Sequence, residues 1–398
     1  MAGRHLSCGR AKGMPQMTLT DADLACLTAW RHERHRHPEV SGAEAATAGA
    51  TVAALASLAP DEVLTGLGGH GVAAVFAGQA PGPTVMLRAE LDALPIVEGS
   101  GVAHASVVPG VAHLCGHDGH SACLLGVARV LSRRRPARGR VVLLFQPAEE
   151  NGSGAAAVMA DAAFERIRPD WAFALHNMPG VPLGEVRVWS GPANCASVGL
   201  RLRLTGRTAH AGTPHTGLSP LPALLAMVPR LQALGPGGDL GPSFRLVTIT
   251  HLLMGEPAFG IAPGTAELWL TLRCLLDGPM AALKAEAMAI ASEVAAEQGL
   301  GLDASWHDDF AACENDPAAV ARIEAALSRA GIRFAPDEAM RPSEDFGRFR
   351  QPGTTSAMFL LGAGVDHPAL HDPRYDFPDA LIPVAVRAFT EIVDGLLN

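Results

Sequence analysis

Six residues at 115–120, "CGHDGH", bring a thiol and two imidazoles together. Thiolate and neutral imidazole are ligands for Zn²⁺ or a similar borderline divalent ion, and carboxylates can complete such a set. Alone, the hexapeptide reads equally well as a His-rich turn, so further donors must come from elsewhere. The chain offers the pair Glu149–Glu150, then His176 at the end of the apolar run "WAFALH", then a late His within "HPALHDPRYDFPD" (367–379). Five donors are too many for one catalytic ion that keeps an open position. They suit two ions sharing a ligand, an arrangement that can polarise a carbonyl and activate water near neutral pH. Of two adjacent carboxylates in a loop, one can bind metal while the other acts as general base and then general acid.

These donors need elements to hold them. "TVMLR" (84–88), "RVVLLF" (140–145) and "WAFALH" (171–176) are short apolar runs bounded by Gly, Pro and charge, as buried strands are. Between the first two, "GHSACLLGVARVLSRRR" (119–135) is apolar nearly all round and reads as a buried helix. Such alternation predicts an α/β layer with a mainly parallel sheet. Each strand runs straight into polar residues: Glu90 and Asp92, "QPAEEN", and His176. Ligand sites in open α/β sheets collect at the carboxyl ends of strands, so the candidate residues should share one edge.

Near 191 the pattern changes. "VGLRLRLTG" (198–206) alternates strictly, as a strand with one wet face does. A helix at about 219–234, strands at 244–250 and 266–274, a helix at about 279–298 and a weak strand near 302–306 give the order β-α-β-β-α-β of a ferredoxin-like unit. The expected organisation is a disordered lead-in over 1–20, with Met14 or Met17 as an alternative start. A main domain follows from 21–192 and 305–398, and an inserted domain from 193–304.

A length of 398 residues favours two domains. The net charge of -9 argues against a nucleic-acid surface, and the basic run "RRRPARGR" (133–140) reads as a solvated helix end. No run reaches the ~18 apolar residues of a membrane span, and the N-terminus lacks the apolar core of a signal peptide. Seven scattered cysteines form no disulfide framework and fit a reduced cytoplasm.

In this order, "CGHDGH", "FQPAEENGSGA", "ALHNMPGVPLGEV", "AHAGTPHTG", "PSEDF" and "LHDPRYDFPD" resemble the two-metal amidohydrolases of the aminoacylase and carboxypeptidase superfamily. The similar branch holds hippurate hydrolase and the indole-3-acetyl-amino-acid hydrolases. "RHERHRHPEVSGAE" (31–44) and "LRAELDALPI" (87–96) are similar to it too, and the resemblance spans about 28 to 395. It implies a zinc-exopeptidase-like catalytic domain with an inserted ferredoxin-like lid, through which a homodimer would form. It implies two divalent ions (Zn, Mn, Co or Ni) on Cys115, His117, Glu150, His176 and His371, with Cys115 as the bridge. Glu149 would be the catalytic base and acid, and His210 would stabilise the oxyanion in the partner subunit. The expected substrate is an N-acyl amino acid of acetyl, benzoyl or indole-acetyl type. A dipeptidase, carboxypeptidase or carbamoylase of the superfamily, or a non-catalytic metal-binding relative, is the alternative.

Two departures stand out. Glu90 replaces the family's Asp, and "GIAP" (260–263) replaces its "NVIP", so Gly260 brings no side-chain amide. Arg273 matches a lid Arg. His367 competes with His371, which the following "DPRYDF" favours. Asp118 and His120 read as supports for His117 or as helix caps; His32, His35 and His37 read as surface or packing residues, and Tyr375 as structural.

Overall fold

The structure, a computed structural model, describes residues 18–398. The expectation for the lead-in therefore falls almost wholly outside the described residues. Its last residues do have a place: Leu19 packs against the core, and Thr20 closes a capping box at the start of the helix Asp21–Arg36. Thr20 Oγ1 accepts from the Asp23 N–H, and the Asp23 carboxylate accepts from the Thr20 N–H. Two donors of the helix start are satisfied in this way.

The chain forms two compact units. One comprises the described chain up to Gly191 with Glu314–Glu338 and Arg348–Asn398, and the other comprises Pro192–Cys313 with Ala339–Gly347. In the first, an eight-stranded sheet has four parallel strands at its centre, in the order Arg138–Gln146, Ala80–Glu90, Trp171–Pro179 and Thr355–Gly364. Antiparallel strands flank them. The central strands are continuously buried over 84–90, 141–146 and 356–363, which is why those stretches read as unbroken apolar runs rather than as alternation. The carboxyl ends of three of them carry Glu90, Gln146 and His176.

The helix after the first buried strand spans His117–Arg133, two residues ahead of the expected start at 119. Gly116 causes the difference. Its φ of 93° is left-handed, which turns the chain so that His117 already lies in the first turn. The helix is buried almost throughout, and glycine allows the closeness of its neighbours. A Cβ at Gly119 would overlap the Phe377 ring, and one at Gly126 would overlap Val386 of the helix Leu381–Leu397. Gly119→Ala is therefore expected to cost about 1–3 kcal/mol by overpacking. A fall in the denaturant midpoint measures it, and an unchanged midpoint would show that the ring can move aside.

The second unit is a four-stranded antiparallel sheet, ordered Arg245–Met254, Thr265–Cys274, Ala196–Thr205, Gly301–Phe310, with helices Leu221–Ala233 and Asp277–Glu297. Leu200, Leu202 and Leu204 face its core while Arg201 and Arg203 point away, as strict alternation requires. Its last strand extends to Phe310, beyond the 302–306 read from the sequence, so this unit runs to Cys313 rather than to 304. Residues 339–347 also join it: Met340 N–H donates to Ala193 O at 2.7 Å, and Ser343 Oγ donates to Cys195 O at 2.7 Å.

Candidate metal centre

His117 shows what the centre is built to do. Its Nδ1–H donates to the Asp92 carbonyl at 3.0 Å, with Asp92 Oδ1 at 3.3 Å. That leaves Nε2 as the nitrogen that can take up a proton or a metal ion. Nε2 is buried without a hydrogen-bond partner among the described residues, and it faces Glu150 Oε1 at 3.8 Å and Glu149 Oε2 at 4.0 Å. A buried imidazole nitrogen normally has a partner, so this one requires an explanation. His176 is arranged alike: its Nδ1–H donates to Asn177 O at 2.8 Å, and its Nε2 lies 3.4 Å from Cys115 Sγ. Backbone carbonyls that fix the tautomer and aim the other nitrogen are the usual support of a metal-binding histidine.

Glu149 and Glu150 follow the strand Arg138–Gln146 in a turn held by two buried carboxylates. Ala148, at a φ of 53°, donates its N–H to Glu44 Oε1 at 2.9 Å, and the Glu150 N–H donates to Asp92 Oδ2 at 3.0 Å. Ser41 Oγ donates to the same Asp92 oxygen at 2.7 Å. Asp92 thus ties His117 to the Glu149–Glu150 turn. His371 also takes a left-handed conformation, with a φ of 66°, and its N–H donates to Leu114 O at 2.8 Å. Non-glycine residues hold such conformations only where their surroundings over-determine them.

The resulting geometry is compact. The donor atoms of Cys115, His117 and His176 all lie within 4.8 Å of one another, and so do those of Cys115, Glu150 and His371. Those of His117, Glu149 and Glu150 form a third such set. Two neighbouring positions sharing Cys115 are thereby outlined. The electrostatics favour a cation there. Burial first, then the charges of Glu150, Glu149 and Glu90, push the Cys115 thiol well above its ordinary range. Burial disfavours a charged His117, yet its bond to Asp92 and the charges of Glu90 and Glu150 raise it to about 10. Thiol, imidazole and carboxylate around an orphaned nitrogen fit a divalent metal pair.

The remaining histidines are placed differently. His367 Nε2 donates to Asp376 O at 2.8 Å, so that nitrogen is engaged. His120 is held between Glu90 Oε2, at 2.6 Å from Nδ1, and the Asn177 N–H, at 3.1 Å from Nε2, and so does not orient His117. Glu90, the longer residue, is also paired with Arg88. Asp118 neither caps the helix nor supports His117 but meets Arg31 at 3.2 Å and His35 at 2.9 Å.

Of the two readings offered for His35, surface or packing, the structure shows the second: it is fully buried between Asp118 and Glu98, with Asp376, His104 and His113 also facing it. Burial lowers its affinity for a proton, but Asp118 and Glu98 outweigh burial and raise it to about 10. A raised imidazole adds stability that is complete below its ordinary value of 6.5 and disappears as pH climbs through about 10. Thermal midpoints measured from about pH 6 to 10 should fall for the native chain and fall less for His35→Gln. Parallel curves would exclude His35 as the source.

In the second unit, His210 lies in the short strand Ala209–His210 paired with Ile261–Ala262, exposed, with its Nδ1 accepting from the Gly212 N–H at 3.0 Å. The Gly260 carbonyl accepts from the Ala211 N–H at 3.0 Å. Arg273 donates to Arg341 O and to Ser343 Oγ, and no carboxylate pairs with it among the described residues. Sequence reasoning overlooked Asn177 and Glu44, which hold donors without being donors themselves.

Donors of these kinds, gathered at the carboxyl edge of a mainly parallel sheet, are the equipment of a metal-dependent hydrolase. The chain matches the model of peptidase family M20/M25/M40 over residues 86–395, and it belongs to that family. It is 29% identical to N-acetyl-L-cysteine deacetylase of Bacillus subtilis (strain 168), over 92% of this chain and 87% of that one. It is 31% identical to N-acetyldiaminopimelate deacetylase of Shouchella clausii, over 76% and 80% of the two chains. Among solved structures, the Bacillus subtilis YXEP protein, described as a dinuclear metal binding peptidase from the M20 family, superposes with a TM-score of 0.78 at 26% identity. That match covers 95% of this chain and 99% of that one. The chain is a metal-dependent amide-hydrolysing enzyme with the M20 fold. None of its described helices is long and apolar enough to cross a membrane.

Proposed function

We propose that this enzyme hydrolyses N-acyl amino acids to a carboxylic acid and a free amino acid. The observation that carries the reading is the clustering of Cys115, His117, Glu150, His176 and His371 donors beside a second, buried carboxylate, Glu149. In this reading the five donors hold two divalent ions. Once bound, such ions polarise the scissile carbonyl and make water a better nucleophile near neutral pH. Glu149 takes the proton from the attacking water and returns it to the departing nitrogen as the C–N bond breaks. His210, acting in the active site of the partner subunit, donates a hydrogen bond to the carbonyl oxygen as it becomes an oxyanion. Arg273, a guanidinium without a carboxylate partner among the described residues, suits the carboxylate of the amino-acid half. The deacetylase relatives support an acylated amino acid as substrate. A homodimer formed through the second unit and a cytoplasmic location belong to the same proposal.

The test is a panel of N-acetyl, N-benzoyl and indole-acetyl amino acids, with dipeptides and N-carbamoyl amino acids as competitors. The protein is loaded with Zn²⁺, Mn²⁺, Co²⁺ or Ni²⁺. Metal-dependent release of free amino acid from an N-acyl compound supports the reading. Preference for dipeptides or carbamoyl compounds would replace it.

A further inference from the structure

We propose that Tyr375 and Asn177 form a buried clamp that positions the metal-binding donors, a role distinct from the ligands and from Glu149. The inference rests on the ligand reading above and adds to it. Tyr375 is the sole tyrosine of the chain, and both it and Asn177 are completely buried. The Asn177 side chain works at both ends. Its Oδ1 accepts from the Tyr375 hydroxyl at 2.5 Å, and its Nδ2 donates to the Cys115 carbonyl at 2.6 Å.

The backbone of the same residue makes two further bonds. Asn177 O accepts from His176 Nδ1 at 2.8 Å, which leaves Nε2 of that ring turned toward Cys115, and the Asn177 N–H donates to His120 Nε2 at 3.1 Å. One residue therefore touches Cys115, His176 and His120, and reaches Tyr375, four positions after His371. The His371 segment is thus tied to the Cys115 turn twice, through the His371 N–H to Leu114 O and through Tyr375 and Asn177 to Cys115 O.

Gly116 shows how closely the clamp sits on the turn. A Cβ at that position would overlap Asn177 Nδ2 and crowd Tyr375 Oη at 2.7 Å. The hydroxyl matters chemically because an amide can present either end. By donating to Oδ1, Tyr375 commits Nδ2 to the Cys115 carbonyl. Phenylalanine would fill the same space without making that choice. Supports of this kind govern metal affinity through the ligands they aim.

The experiment compares wild type with Tyr375→Phe, measuring the Co²⁺ dissociation constant by chelator competition, the Co²⁺ absorption spectrum and the melting temperature without metal. Tyr375→Phe is expected to bind Co²⁺ about 10- to 100-fold more weakly and to shift the thiolate-to-cobalt band, while the metal-free protein keeps its fold. A folded variant with wild-type affinity and spectrum would overturn the clamp, even if its melting temperature falls. Should Tyr375→Phe fail to fold, Asn177→Asp gives the same reading, because it keeps the acceptor for Tyr375 and removes the donor to Cys115. Unchanged affinity and spectrum there overturn the clamp equally. A wild-type protein with no thiolate band would overturn the ligand reading itself, and the clamp with it.

Discussion

Glu149→Gln is expected to keep its metal and lose turnover by about 10²–10⁴-fold, the range that a positioned general base and acid contributes. The substitution keeps the size and hydrogen-bonding reach of the side chain but can no longer accept the proton of water. Glu149 is buried and stands 4.0 Å from His117 Nε2, beside the outlined metal positions. The adjacent Glu150 belongs to both outlined sets that contain His371 or Glu149, so Glu150→Gln should release metal instead. The two variants separate the roles: metal content measured by atomic absorption, and kcat measured on the best N-acyl substrate. Turnover of Glu149→Gln within tenfold of wild type would assign the proton transfer elsewhere.

The second large effect concerns the metal itself. A chelator should abolish turnover, and adding back the ion should restore it. It should also lower the melting temperature, because a ligand that binds only the folded state stabilises it. That gain is about 2.7 kcal/mol at 100 times the dissociation constant and about 4.1 kcal/mol at 1,000 times. His117→Ala should abolish this dependence on chelator, since its Nε2 is the buried nitrogen left without a partner. Calorimetry with and without chelator measures both. A native protein indifferent to chelator, in turnover and in melting temperature, would contradict the centre described above.

Much of this arrangement was legible in the sequence because burial writes simple patterns. Strands covered on both faces read as "TVMLR" and "RVVLLF", and the one-sided strand Ala196–Thr205 reads as alternation. Donor residues are conspicuous for their chemistry at the ends of those strands. What stayed hidden depended on conformation or on distant partners. The start of the helix at His117 turns on the left-handed Gly116, which looks like any glycine in a turn. Residues 339–347 join the second unit through loop hydrogen bonds and a bridge between Asn194 and Met340, with no periodicity to reveal it. Nothing in the local pattern singles out Glu44 or decides between surface and packing for His35, and only tertiary contacts bury them. Asn177 follows a more conspicuous histidine, and its importance lies in what it touches 62 and 198 positions away.

The donors of the centre come from segments scattered between Cys115 and His371, held by the edge of a sheet whose strands themselves come from distant parts of the chain. A zinc finger gathers ligands from one short stretch, so its metal can drive folding. Here no two of the sheet-end turns can meet until the parallel strands between them have paired. The complete centre is consequently a product of the paired sheet rather than of any one segment. A nascent or partly unfolded chain carries all the chemical groups of a hydrolase yet has no competent site, and only the finished molecule is armed.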